Sequence, residues 1–222
     1  MFQTDPFALI VLLIGLSLLP FMAMIATSYL KIVVVMSLIR NALGIQSIPP
    51  NMVINALALI LTFYIMAPML SQSWSNAQTI MAENRTIQVS DTERLASTFE
   101  PFRAFLKEHA SESQVAFFAN TAEQLWATKD DQGNLVPATV DPDSYFVLIP
   151  SFCVSELTKA FQIGFLVYLP FIAIDIIISN ILLAMGMMMV SPVTISLPFK
   201  LLLFVLVDGW TLLIRGLVQS YM

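Results

Sequence analysis

Along this chain apolar residues run in long unbroken stretches instead of alternating with polar ones. No Asp, Glu, Lys or Arg occurs from Pro6 to Leu30, from Asn41 to Ala82, from Ala160 to Ile174, or from Ile176 to Phe199. Each stretch supplies most of the roughly 20 residues that an α-helix needs to cross a bilayer. The pattern predicts four hydrophobic helices, at Phe7–Leu30, Val53–Leu70, Ala160–Met185 and Val193–Val218. Pro20, Pro170 and Pro198 fall inside them. Membrane helices tolerate such prolines as kinks where neighbours re-satisfy the freed backbone groups, which points to packing against protein.

Between the second and third helices the period changes. Leu95, Phe99, Phe102, Phe105 and Leu106, entered through Asp91-Thr92-Glu93, recur at spacings that put them on one helical face, and Val115, Phe118, Ala122, Leu125 and Trp126 repeat the pattern. Pro101 either breaks the first stretch or opens a helix, since proline is accepted in a first turn. Lys129 to Asp143, containing Lys-Asp-Asp-Gln-Gly-Asn, reads as a mobile loop. Asn84-Arg85-Thr86 matches a glycosylation acceptor only as a weak pattern. The expected architecture is all-α and membrane-type. It has an N-terminal hydrophobic hairpin over 1–70, a small helical insert over 71–148, and a C-terminal hydrophobic hairpin over 149–222.

Composition agrees with that class: 58% of the 222 residues are hydrophobic, and 11% are charged against about 25% in soluble domains. The insert, residues 71–148, holds eleven acids against five bases, a net charge of −6 that accounts for the acidity of the whole chain. Such a balance argues against nucleic acid as a partner. Lys31 and Arg40 lie between the first two hydrophobic helices with no acid near them, so the positive-inside rule puts that connection in the cytoplasm, with both termini and the insert outside. Met1-Phe2-Gln3-Thr4-Asp5 carries no base and precedes an apolar run longer than a signal core, so no cleaved secretory signal is expected. The single cysteine, Cys153, has an apolar context and reads as an inert buried thiol.

Few residues in the apolar helices could carry chemistry. Asp175, Lys200, Asp208 and Arg215 are ionizable, and a charge at bilayer depth is a functional candidate unless it is paired structurally. Asp175 precedes the centre of the third-to-fourth connection by fourteen residues and Lys200 follows it by eleven. The mismatch is about 4.5 Å at the helical rise, within a lysine's reach, so the two are expected to pair across the hairpin and fix its register. Asp208 has no mirrored base and is expected to face another subunit. Glu156 and Lys159, three apart, read as a surface or interface pair.

The connection itself, Gly186-Met187-Met188-Met189-Val190-Ser191-Pro192, sets three thioethers where turns normally take Gly, Pro, Asn, Asp or Ser. Methionine packs adaptably, which suits a constriction that closes tightly and still yields. No enzyme is expected: His109 is the one histidine, and neither H-E-x-x-H nor G-x-S-x-G occurs, so no catalytic, metal or cofactor residues are assigned. No Walker phosphate loop of the form G-x-x-x-x-G-K-[ST] occurs, so the chain is not expected to be a motor. A small-solute transporter would carry inverted repeats, and no internal repeat is found.

Many ordered blocks carry a resemblance. Ser28-Tyr29-Leu30-Lys31-Ile32, Arg40-Asn41-Ala42-Leu43-Gly44, Pro49-Pro50-Asn51, Pro150-Ser151-Phe152, the run Ser155 to Phe165, Gly186 to Met189, Leu197-Pro198-Phe199-Lys200-Leu201 and Asp208-Gly209-Trp210 resemble the FliP/SctR family, core membrane proteins of the type III secretion export gate. The resemblance covers nearly the whole chain apart from the loops of the insert. It implies several copies, about five, assembled into a helical ring with Q-type and R-type subunits, and with S–T-type partners as further candidates. It also implies a conical gate raised toward the periplasm from the bacterial inner membrane, lipid around it, and Met187, Met188 and Met189 lining a constriction crossed by unfolded secreted proteins. The stretch Val190 to Pro198 looks more like the injectisome branch than the flagellar one, which remains the alternative.

Overall fold

The computed structural model describes residues 6–45, 47–83, 97–129 and 135–222. Asp91-Thr92-Glu93, Leu95, the Asn84-Arg85-Thr86 pattern, the first five residues, and Asp130 to Asn134 lie outside the described residues. In chain order the elements are α1 (Pro6–Ile25), α2 (Tyr29–Ala42), α3 (Asn51–Glu83), α4 (Glu100–His109), α5 (Glu112–Leu125), β1 (Thr128–Lys129), β2 (Leu135–Val136), α6 (Tyr145–Ala184), α7 (Pro192–Leu206) and α8 (Gly209–Gln219). Among the described residues the fold is therefore all-α apart from one two-stranded antiparallel hairpin, in which Thr128 faces Val136. That hairpin occupies part of the stretch the polarity assigned to a loop. Among the described residues, two helices are long and apolar enough to cross a membrane, or up to four spans if each bent pair counts as one.

The breaks do not fall at the prolines. Helix α1 runs through Pro20 and α7 through Pro198, while the chain interrupts its helices at 26–28 and at 207–208. At the first break the Thr27 hydroxyl accepts the Tyr29 amide at 3.3 Å, a local hydrogen bond that competes with helix continuation. Lys31 and Arg40 consequently lie within α2 and not in an open connection. The reason is the apolar face between them: Ile32, Val35, Met36 and Ile39 are all buried. Helix α6 likewise begins at Tyr145, well before Ala160, and so includes Glu156 and Lys159.

By compactness the chain divides into two units, one of residues 1–30 and 72–154, the other of residues 31–71 and 155–222. The first unit is centred on the insert. Pro101 opens α4, and Ser111 caps α5 by accepting the Gln114 amide. Leu106, Leu148, Phe152 and Ala26 form its core, flanked by Phe102, Phe105 and Tyr145. A second cluster joins Ala119, Ala122, Val140 and Val147, with Phe118 packed against it.

In the second unit, α2 and α6 come very close. A Cβ placed on Gly164 of α6 would lie 2.3 Å from the Leu38 Cδ1 of α2 and 3.3 Å from its Cβ, so any larger residue here would force the Leu38 side chain to shift. Small residues let membrane helices approach in this way. Ala160, one turn before Gly164, is fully buried. Helix α6 ends at Gly186, whose φ of +74° is the left-handed conformation glycine adopts without penalty. Met187 N donates to Leu182 O at 2.9 Å and Gly186 N to Leu183 O at 3.0 Å, the paired bonds of a Schellman stop. Pro192 then opens α7 from its first turn.

Candidate functional site

The ionizable residues of the second unit collect at two buried stations and one exposed break. At the first, Glu156 has no solvent exposure, accepts hydrogen bonds from Lys159 and Tyr221, and forms an ion pair with Lys31. Lys31 Nζ lies 3.1 Å from its Oε2, Lys159 Nζ lies 3.3 Å from its Oε1, and the Tyr221 hydroxyl donates to Oε2. The Lys31 ammonium, itself 1% exposed, also sits 3.6 Å from the centroid of the Tyr221 ring. A cation over an aromatic face recovers part of what desolvation removes. Burial, then the Glu156 charge, push the Tyr221 phenol far above its usual range, so it stays a donor. Glu156 was expected to join Lys159 at a surface, and the two do meet, but the carboxylate is internal. A buried carboxylate needs a full set of donors, and these are drawn from α2, α6 and the segment after α8. The Glu156 contact with Lys31 and the Gly164 contact with Leu38 occur in the same order along both helices. Helices α2 and α6 therefore run in the same direction here.

At the second station the structure brings Asp175 and Lys200 together, with Nζ 2.6 Å from Oδ2. Lys200 is 4% exposed and donates also to the Ala42 carbonyl at 3.2 Å, while Ser196 donates to the other Asp175 oxygen at 2.6 Å. Ala42 O is one of the last carbonyls of α2, so the ammonium satisfies a helix C-terminus as well as its acid. Ser196 precedes Lys200 by one turn, a spacing that places both on one face. This is the signal by which it could have been singled out from sequence. Tyr221 carried no such signal.

Asp208 and Arg215 join neither station. Asp208 occupies the break between α7 and α8 in the left-handed conformation, φ 50° and ψ 52°, and is exposed. The axes of α7 and α8 differ by 60°. Phe204 fills the inside of that bend, edge-on to Trp210 at 5.4 Å, and a Cβ on Gly209 would lie 2.3 Å from its ring. Beside the bend is a groove of about 360 Å³, lined by Leu43, Ile48, Pro49, Leu201, Phe204 and Trp210 among others, with Arg40 and Asp208 at its edge.

The methionines lie at the α6–α7 turn, away from all of these charges in sequence. Met187 is 44% exposed, Met188 82% and Met189 101%, so no described residue covers the turn's tip. Among the described residues, no group of three or more His, Cys, Asp or Glu is placed to hold a metal ion. Cys153 is half-buried within α6. What the arrangement can do is mechanical: two charge stations fasten helices together, and an exposed apolar turn is left uncovered.

Comparison with known proteins bears on the same residues. The model of the FliP family matches residues 12–217. Yop proteins translocation protein R of Yersinia pestis is 52% identical over 220 residues, covering 98% of this chain and 97% of that protein. Virulence protein YscR of Salmonella typhimurium is 48% identical over the same coverage. The flagellar biosynthetic protein FliP of Bacillus subtilis is 41% identical over 213 residues, 96% of this chain and 90% of that one.

Proposed function

The chain belongs to the FliP family, and from that premise we propose that several copies of it, with Q-type and R-type subunits, form the channel of a type III export gate closed at rest by the α6–α7 methionines. Membership makes the protein a subunit of the export apparatus in the bacterial inner membrane, and not an enzyme. The virulence-type branch is favoured, because the relatives named for virulence and Yop translocation are 48–52% identical and the flagellar relative 41%.

The observation that carries the channel reading is the exposure of three consecutive thioethers at a turn whose backbone is itself well defined by a Schellman stop and a first-turn proline. A resting gate must exclude water and ions, and apolar constrictions do so by dewetting. An open gate must pass a chain whose side chains change at every step. Methionine, unbranched and polarizable, can seal and then thin around such a cargo. The cargo is unfolded secreted protein.

The assembled complex stands raised toward the periplasm, with the termini and residues 71–148 on that side. Arg40, at the end of α2, supports this orientation. Lys31, neutralised inside the protein, no longer contributes to it.

Replacing Met187, Met188 and Met189 together with alanine tests the seal. Planar-bilayer conductance of the assembled complex at rest should rise while secretion persists in part. Met188→Trp should keep the barrier and slow export, since a stiff ring cannot thin itself around a moving peptide. Unchanged resting conductance in the triple variant would return these residues to ordinary packing.

A further inference from the structure

Asp208 and Arg215 stand apart from every other charge of the second unit. Lys31, Lys159 and Glu156 satisfy one another, as do Asp175 and Lys200, and Arg40 NH1 donates to Pro49 O and to Asn51. The side chains of Asp208 and Arg215 make no ion pair or hydrogen bond with any described residue. Both are exposed, yet their surroundings are not those of a solvated face. Val205, Leu206 and Leu212 around Asp208 are exposed as well, on the bent helix pair that is apolar enough to be a span. A carboxylate and a guanidinium on such a surface are costly until each meets an opposite charge.

They cannot meet each other within one chain. Seven residues separate them, two turns of α8, or about 10.5 Å along the axis. The same spacing returns them to nearly the same face, however, so a surface that presents the acid at one end presents the base at the other. Asp208 is further held in a left-handed conformation that non-glycine residues seldom take, a strain that tends to mark positions with a task. It stands at the edge of the 360 Å³ groove, whose walls of Leu43, Ile48, Leu201 and Trp210 could cover the methylene stem of an arginine. Arg40 borders the same groove, but its two acceptors hold it and it makes no ion pair with Asp208.

We infer that this groove is a docking site for a second copy of the chain, whose Arg215 enters it and pairs with Asp208. The contact is head-to-tail: the first copy's Arg215 is free to enter a third copy's groove, so the pairing repeats from copy to copy and leaves one unpaired Asp208 and one unpaired Arg215 at the ends. It rests on the reading that copies of this chain assemble, and gives that assembly a register.

Two measurements on the full chain in native membranes test it. With Cys153 changed to serine, oxidation of a mixture of Asp208→Cys chains and Arg215→Cys chains should yield cross-linked dimers that neither chain forms alone. In parallel, Asp208→Arg and Arg215→Asp should each weaken self-association by at least about tenfold, as expected for unpairing a desolvated charge, and the double reversal should restore it. Multimers of normal size that do not cross-link at these positions, or a double reversal no better than either single change, overturn the pairing and leave the assembly standing. A chain that stays monomeric overturns both.

Discussion

Glu156 offers the most discriminating perturbation, because its partners are unequal. Changing Glu156 to glutamine keeps the volume and an acceptor oxygen for the Tyr221 hydroxyl, but removes the anion that pairs with Lys31, whose ammonium is 1% exposed. An uncompensated buried charge costs about 3–5 kcal/mol. The reverse change, Lys31→Met, keeps the apolar stem and leaves Glu156 with Lys159 at 3.3 Å and the Tyr221 hydroxyl, so about 1–3 kcal/mol should be lost. The two changes made together remove the charge and its counter-charge at once, and the double variant should be more stable than Glu156→Gln alone. Tyr221→Phe keeps the ring under the ammonium and removes one donor, for about 1 kcal/mol. Equilibrium unfolding of the detergent-solubilised protein across the four variants measures this order. Additive losses in the double variant, or a Lys31→Met loss equal to that of Glu156→Gln, would refute the account of Glu156 as a shared anion with Lys31 as its dependent.

The second station should show the same asymmetry, more sharply. Asp175→Asn leaves Lys200, 4% exposed, with only the Ala42 carbonyl and should cost about 3–5 kcal/mol. Lys200→Met leaves Asp175, 34% exposed and still held by Ser196, and should cost about 1–2 kcal/mol in the same unfolding assay. Equal losses would show that exposure does not set the cost. Gly164→Ala drives a methyl into Leu38 and should lower stability by about 1–3 kcal/mol, whereas Gly216→Ala meets nothing within 4 Å and should be neutral or slightly stabilising. Thermal denaturation of the pair would decide, and a harmless Gly164→Ala would disprove the close helix approach.

Hydropathy made the helical, membrane-type class legible, because unbroken apolar runs of that length have few other readings. Where a charge interrupted a run, the pattern misled. Helix α2 was read as a connection since Lys31 and Arg40 looked like loop cations, and nothing local shows that Lys31's counter-charge lies 125 residues later at Glu156. The start of α6 was set too late for the same reason. The Asp175–Lys200 contact was readable because a hairpin makes spacing a ruler: distance from the turn, multiplied by the helical rise, says what lies opposite what. No such ruler reaches Tyr221 or Ala42, whose contacts come from a third strand of the chain. Compactness also divides the molecule at Leu30, Ser71 and Val154, inside or beside helices. Polarity along the chain does not mark cuts of that kind, since a helix can stay apolar while it passes from one unit to another.

The open methionine turn has a chemical side as well as a mechanical one. Thioethers this exposed are accessible to oxidants, and sulfoxide formation converts a flexible apolar side chain into a polar one. Met189 would react before Met187 on exposure alone. A gate that seals by dewetting would then admit water without any change of sequence or fold, and reductive repair would dry it again. If the methionines seal the gate as proposed, the redox history of the cell would thus be written onto the ion-tightness of that seal.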